Sequence, residues 1–292
     1  MARFDVSPAA PHELLPACRL LFADGRAEHC CDRLLSDART SGLFVARDAT
    51  DRLHAAALVQ SLPGALGVAW APRGDSAKAI DAATVAACEW LRSHGVKVCQ
   101  AFATAGEVAD MIALERLGFR RTTQLVFMQR DCSPTGLPAT DPARSLSFVA
   151  DGLPFSREFA TTLLATHQET RDCPELNAPR TAEELLEGFG ASANGETYLV
   201  RRGEVCVGVV MFEPGAAPEV AELTYIGIVP DERGSGLGGE LLKFVATETS
   251  AAGHARLNVS VDARNAPAMK LYTRHGFVEY DRREVWLATW RA

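Results

Sequence analysis

The sequence predicts a mixed fold built twice over, two tandem α/β (α+β) domains that are each a mixed β-sheet flanked by helices. Three observations predict it. Short β-branched and aromatic runs alternate with longer stretches of helical period along all 292 residues. One such alternation, Leu223–Ile228 followed by a glycine-rich turn and then Glu240–Ala246, reads as strand, turn and helix start. The order of elements found before residue 130 also restarts after residue 145, which is the mark of a duplication.

A chain this long buries two cores of ordinary domain size, and 47% apolar residues make it globular rather than disordered. The formal net charge of −7 leaves no basic stripe to neutralise phosphates, which argues against a nucleic-acid binder. No apolar run has the length of a secretory leader or a bilayer span, so no membrane partner is expected and a cytoplasmic location is. Eight cysteines lie scattered without Cys-x-x-Cys spacing and read as free thiols of a reducing compartment. His29-Cys30-Cys31 lacks a second cluster of ligands, so no metal is expected.

In chain order, a strand near Phe4 precedes helices over Pro11–Phe22 and Ala27–Ala38, then strands Leu43–Arg47, Leu53–Ser61 and Leu66–Ala71. Helix Ala77–Arg92, strand Val96–Ala103 and helix Glu107–Leu117 follow, and Gly118-Phe119 opens a final strand pair that runs through Arg130. This first domain, residues 1–130, is expected to end in a linker over 131–144, where three prolines interrupt any apolar period. The second domain, 145–292, repeats the order: strand Leu146–Val149, helices Arg157–Thr166 and Ala182–Phe189, strands Thr197–Arg201 and Val205–Phe212, the strand and helix around the glycine turn, strand Arg256–Val261, a short helix to His275, and closing strands to Trp290.

The turn itself is Val229-Pro230-Asp231-Glu232-Arg233-Gly234-Ser235-Gly236-Leu237-Gly238-Gly239. First-turn amides of a helix have no intrahelical partner and carry the positive end of its dipole; an anion fits there, and glycines let a phosphate approach the backbone. Glycine also serves plain turn geometry, and on the turn alone the two readings stand level. No Lys-Ser or Lys-Thr follows the last glycine, which excludes a P-loop. A dinucleotide fingerprint wants an acid closing a βαβ unit, whereas Val259-Ser260-Val261-Asp262 lies inside a strand. Further on, Asp262–Phe277 reads as strand end, short helix and glycine C-cap. Arg233-x-x-Gly236-x-Gly238, Asn265 and Leu271-Tyr272-x-x-x-Gly276-Phe277 together resemble the GNAT family of acyl-CoA-dependent N-acetyltransferases, with three separated motifs in order over about the last ninety residues.

The resemblance implies a splay in the middle of the sheet, acetyl-CoA as cofactor, and direct acetyl transfer to an amine of a small molecule or peptide by the C-terminal half. It places the main chain of Ile226, Ile228 and Val229 along the pantetheine arm, with Arg233, Gly234, Ser235, Gly236, Gly238 and Gly239 around the pyrophosphate. Ser235 departs from the basic residue usual in the family, so only its backbone is expected to contribute. Asn265 reaches the pantetheine arm, or else it is the N-cap that an Asn before Ala-Pro suggests. Tyr272 is the implied proton donor to the leaving thiolate, a phenol of pKa ~10; amphipathic packing is the plainer account of the same residue. Glu222 resembles the carboxylate that takes the amine proton, with a solvated strand-end acid as its alternative. The acid-rich loop His167–Asn177 suits a cationic amine or is an ordinary solvated loop, and Cys173 is a poor nucleophile with only His167 as a base.

Comparing the halves predicts which one works. Leu114-Glu115-Arg116-Leu117-Gly118-Phe119 aligns with Tyr272–Phe277, putting Leu114 where the phenol stands. Ala71–Ile80 lacks Gly-x-Gly and sets Asp75 opposite Arg233, and a carboxylate repels a pyrophosphate. The first half is therefore expected to be scaffold or a wall of the acceptor site. The tandem arrangement also resembles mycothiol synthase, whose first half is likewise reduced, although no residue singles out that acceptor. A non-catalytic CoA-binding module is the reading from another class, and the intact Tyr272 speaks against it.

Overall fold

The computed structural model describes residues 4–22, 25–36, 41–132, 146–190 and 195–290. Its mixed α/β chain forms two compact units that do not follow chain order. Unit one joins Met1–Thr123 with Glu175–Glu184 and Arg283–Ala292, and unit two joins Gln124–Pro174 with Leu185–Arg282.

The elements of the first half are β1 (Asp5–Pro8), α1 (Leu14–Leu21), α2 (Ala27–Ser36), β2 (Ser41–Arg47), β3 (Leu53–Leu62), β4 (Leu66–Ala69), β5 (Arg73–Gly74), α3 (Ala77–Ser93), β6 (Val98–Ala103), α4 (Ile112–Arg116) and β7 (Arg120–Asp131). In unit one β1, β2, β3 and β4 pair antiparallel in that order, β4 runs parallel to β6, and β6 pairs antiparallel with the far end of the chain at Glu284–Thr289. Alternate residues of β2 and β3 serve opposite faces. Phe44, Ala46, Ala55, Ala57 and Val59 pack with Ala79, Ala83, Ala87 and Leu91 of α3, while Val45, Ala56 and Leu58 pack with Ala17, Cys18 and Leu21 of α1. The alanines at four-residue spacing on α3 bring that helix close to the sheet. Trp286, fully buried, fills this core from the chain's other end and donates its indole N–H to Glu115 at 3.0 Å.

The second half contributes β8 (Ser147–Asp151), α5 (Arg157–Thr166), α6 (Ala182–Phe189), β9 (Glu196–Arg202), β10 (Val205–Pro214), β11 (Val220–Ile228), α7 (Leu237–Ala251), β12 (Arg256–Asp262), α8 (Ala266–Arg274) and β13 (Val278–Thr289). In unit two β8, β9, β10 and β11 are antiparallel neighbours and β11 runs parallel to β12. Beyond β12 stands Leu125–Asp131 of β7, antiparallel to it. One face of this sheet carries α5, through Phe159 and Leu163 on Leu199, Val209 and Met211. The other carries α7, through Leu237, Leu241, Leu242 and Val245 on Val200, Val210, Phe212 and Leu223.

Several expectations are revised. The closing strand pairs of both halves are single strands of 12 residues, β7 and β13; their polar centres looked like turns, but each strand passes from one unit to the other at that point. For the same reason the compact units depart from boundaries at 130 and 145. Residues 133–144 of the expected linker lie outside the described residues. The helix expected over Glu107–Leu117 begins as a 3-10 turn at Ala105–Met111, with Glu107 closing a capping box on Thr104. All eight cysteines are free, four of them buried. Among the described residues no helix is long and apolar enough to cross a membrane.

Candidate active site

The site of unit two is made by a strand that leaves its neighbour. β11 pairs with β12 only from Val220↔Arg256 to Leu223↔Val259, although β11 continues to Ile228 and β12 to Asp262. The cause lies in β10, where the register shifts between Met211 and Phe212 and leaves Thr224 as an extra residue on β11. Such a bulge bends and twists its strand. The sequence carries no glycine or proline at this position to announce it.

Into the resulting opening β11 turns its free edge. The amide of Val229 donates to Val207 on β10 at 3.0 Å, and N–H directions alternate along an antiparallel strand. Gly227 therefore also faces β10, while Ile226 and Ile228 direct their amides away from it, into the space that β12 has left. The amides of Ile226 and Ile228 thus stand open, whereas the Val229 donor is already used.

Past β11 the chain makes the glycine turn. Gly236 is the N-cap of α7 with φ +89°, a left-handed conformation that favours glycine. Among the described residues the amides of Gly234, Ser235, Gly236, Leu237 and Gly238 donate to no acceptor, and that of Gly239 returns to the Gly236 carbonyl at 3.2 Å. Five consecutive unpaired main-chain donors at a helix N-terminus form a ready anion cradle. The Ser235 hydroxyl donates to the Glu232 carbonyl at 2.6 Å and so belongs to the turn.

Arg233 is placed differently from its expected role. Its guanidinium donates to the carbonyls of Ile228 (3.0 Å), Thr166 (2.9 Å) and Gln168 (2.8 Å). These bonds tie the end of β11 to the end of α5. An arginine fork serving carbonyls positions the turn, a role that a motif match cannot separate from phosphate binding.

A cavity of about 1130 Å3 runs through this opening, lined by β11 residues 223–228, Arg233, Gly234 and residues 236–239 of the glycine turn, Asn265, Leu271, Tyr272 and Thr166–Asp172 apart from His167 and Gln168. Tyr272 is 4% exposed, its ring 5.4 Å from that of Phe277, and its hydroxyl bonds to no described residue. Burial, with the charge of Asp172 nearby, pushes its pKa well above that of a free phenol. Asn265 caps α8, its Oδ1 accepting from the Ala268 amide at 3.3 Å, so the capping alternative describes it.

Tyr225 also lines the cavity, a residue that sequence reading passed over as part of an apolar strand. Its hydroxyl shares a 2.8 Å hydrogen bond with Thr166 and its ring stacks on His167; burial pushes its pKa up to about 12. Gly227 makes this possible, since a Cβ there would stand 2.6 Å from Thr166 Oγ1.

Glu222 is half-buried and does not line the cavity. Asn258 donates to its Oε1 at 2.9 Å. Burial raises its pKa, Asn258 works against that, and neighbouring Glu213 adds to it. Of the loop after α5, Glu169, Thr170, Arg171 and Asp172 line the cavity and Cys173 does not. The Cys173 amide donates to Asp262 Oδ2 at 3.1 Å.

Residues 163–277 match the model of the acetyltransferase (GNAT) family. They form a GNAT domain. It runs from the last turn of α5 through α8, the cavity included. Two similar curated proteins are mycothiol acetyltransferases. One, from Streptomyces scabiei, is 34% identical over 84 residues, covering 29% of this chain and 27% of that protein. The other, from Brachybacterium faecium, is 28% identical over 165 residues, covering 55% and 50%. The chain thus spans half or less of the length of these relatives. Two solved structures share the fold over nearly the whole chain. A GCN5-related N-acetyltransferase from Sphaerobacter thermophilus has a TM-score of 0.64 at 18% identity, covering 99% of this chain and 96% of that one. A tandem GNAT protein from the clavulanic acid biosynthesis pathway has a TM-score of 0.59 at 17% identity, covering 98% of each. The GNAT fold and its tandem form follow from these likenesses.

Proposed function

We propose that the chain is an acetyl-CoA-dependent N-acetyltransferase whose C-terminal GNAT domain transfers acetyl directly to an amine of a small molecule or peptide. The observation that carries the proposal is the sharing of one cavity by three features: the unpaired amides of Gly234, Gly236, Leu237 and Gly238, the open edge of β11, and the Tyr272 hydroxyl that bonds to no described residue. These residues fit acetyl-CoA. The amide cradle suits a diphosphate, and the amides of Ile226 and Ile228 suit an extended arm that takes the place of β12. When bound, acetyl-CoA supplies the thioester carbonyl that an amine attacks.

The chain's own residues do the rest. Tyr272 holds a proton on its hydroxyl throughout the neutral range and is the proposed donor toward a departing sulfur. Arg233 fixes the turn, and Gly236 sets the direction of its amides. Glu222 is proposed as a base acting from outside the cavity through water, its raised pKa bringing it nearer the working range of a general base. Acetyl-CoA binding followed by calorimetry, and thiol release measured with an amine panel, test the proposal together. Micromolar binding with no turnover of any amine would favour a non-catalytic CoA-binding module.

For the N-terminal half we propose a structural role. Its turn borders a cavity of about 580 Å3 lined by Asp75, Asp81 and Asp110. The cations there are engaged: Arg73 with Asp110 at 2.9 Å and Arg116 with Asp81 at 2.7 Å. Asp75 is likewise paired, with Arg52 at 3.1 Å and His54 at 2.7 Å, so these cations are committed to carboxylates rather than to a diphosphate, and buried Leu114 offers no proton. A mycothiol acetyltransferase activity is the second reading, favoured by the two curated relatives.

A further inference from the structure

Charges of both signs line the cavity of unit two. Beside the unpaired amides of the glycine turn, α8 adds Lys270 and Arg274, and its C-cap His275 has Nε2 2.8 Å from where a Gly239 Cβ would be. At the loop after α5 stand two acids, Glu169 and Asp172, together with Arg171. Of the cations near that loop, Arg233 spends its donors on carbonyls and Arg264 pairs with Asp262 at 2.7 Å.

Asp172 differs from the other acids of this loop. Its Oδ1 accepts the amide of Asp262, an almost fully buried residue, at 2.9 Å, and the next amide, Cys173, donates back to Asp262 Oδ2. This reciprocal pair pins the loop to the end of β12, where Asp172 lines the cavity. Among the described residues Asp172 enters no ion pair. The residue itself is exposed and borders the cavity, with protein atoms crowding one side of its carboxyl group. That partial burial raises its pKa, against the Asp262 amide, the Asn265 side chain and His167, which lower it. It is close enough to Tyr272 to raise that phenol's pKa in turn.

We infer that Asp172 is the ammonium-binding residue of the acceptor site, so that the acceptor is an amine that arrives protonated and binds at the loop end of the cavity. The inference rests on the acetyl-transfer reading and adds a substrate class to it. An anionic donor and a cationic acceptor would then each meet charge of the other sign within one cavity. A carboxylate held by neutral hydrogen-bond donors and by no cation keeps its charge at the cavity wall, and an ammonium group offers it a charge-assisted hydrogen bond.

Asp172→Asn separates this role from loop pinning, since an amide oxygen still accepts from Asp262 while the charge is gone. Binding of n-propylamine, tyramine, agmatine and glucosamine, each beside its hydroxyl counterpart, is followed by ligand-observed NMR with saturating CoA present. Amines should bind the wild-type protein and weaken roughly tenfold to a hundredfold in Asp172→Asn, the range for a hydrogen bond to a charged group. Asp172→Glu should restore part of the affinity, the hydroxyl counterparts should not bind, and thermal melting should be unchanged. Equal amine affinity in both proteins, or no amine binding to the wild type, overturns the inference. Calorimetric titration of CoA into both proteins tests the underlying reading separately, because a lack of CoA binding removes acetyl transfer and not only the role of Asp172.

Discussion

Replacing Tyr272 by Phe sets stability and activity moving in opposite directions. The hydroxyl has no hydrogen-bond partner among the described residues and the residue is 4% exposed. An unsatisfied buried polar group costs ~1–3 kcal/mol; because this one borders a cavity that admits water, its removal should leave stability unchanged or raise it by up to ~1 kcal/mol. For a chain of this size that is a melting shift of about 0 to +4 °C. The contact with Phe277 and the packing against Leu237 and Leu241 are kept by a phenylalanine. Loss of a positioned proton donor lowers turnover by roughly 10²–10⁴, about 2.7–5.4 kcal/mol in the barrier. Thiol release from acetyl-CoA with a saturating amine reads the second effect, a thermal melt the first, and calorimetry should find acetyl-CoA affinity within about twofold. Wild-type turnover in Tyr272→Phe would remove the phenol from the reaction. A stability loss above ~1 kcal/mol would mean that the hydroxyl holds the fold, and the catalytic assignment would lose its structural basis.

Gly236→Ala forces an L-residue to φ +89°, so it should cost ~1–2 kcal/mol of stability and weaken acetyl-CoA as the amides turn away, measured by melting and calorimetry. In unit one Arg47 and Glu13 form an ion pair with both side chains 10% exposed, and the Ala10 amide donates to Glu13 at 2.7 Å. Glu13→Gln should therefore cost ~3 kcal/mol in denaturant unfolding. The Arg47 hydrogen bond holds the Glu13 carboxyl below its ordinary range. Its contribution is thus present above the unfolded-state pKa of ~4.3 and is lost as pH falls through the lower folded value. Acid unfolding of Glu13→Gln should be correspondingly less steep in that window.

The parts of this molecule that sequence made legible are those governed by local chemistry. The glycine turn, the cap at Asn265 and the run from Leu271 to Phe277 each carry their own reason for bending where they do, and Tyr272 was placed by that run. What escaped notice depends on partners far along the chain. The bulge at Thr224 is set by the register of β10, and without it nothing indicates which amides of β11 are free. Arg233 read as a phosphate ligand because its carbonyl partners, Thr166 and Gln168, lie more than sixty residues away. Asp172 was one acid among several until Asp262 fixed where its carboxylate points. The unbroken β7 and β13 looked divided because charged residues at a strand's middle resemble a turn when the neighbouring strands are unknown.

Each sheet closes on a ribbon lent by the other half of the polypeptide, Leu125–Asp131 against β12 and Glu284–Thr289 against β6. A chain cut to its second half would leave Arg256–Asp262 as a bare border of unpaired amides and carbonyls, an invitation to aggregate. One cut to its first half would empty the space that Trp286 fills. Neither half keeps its closing ribbon without the other.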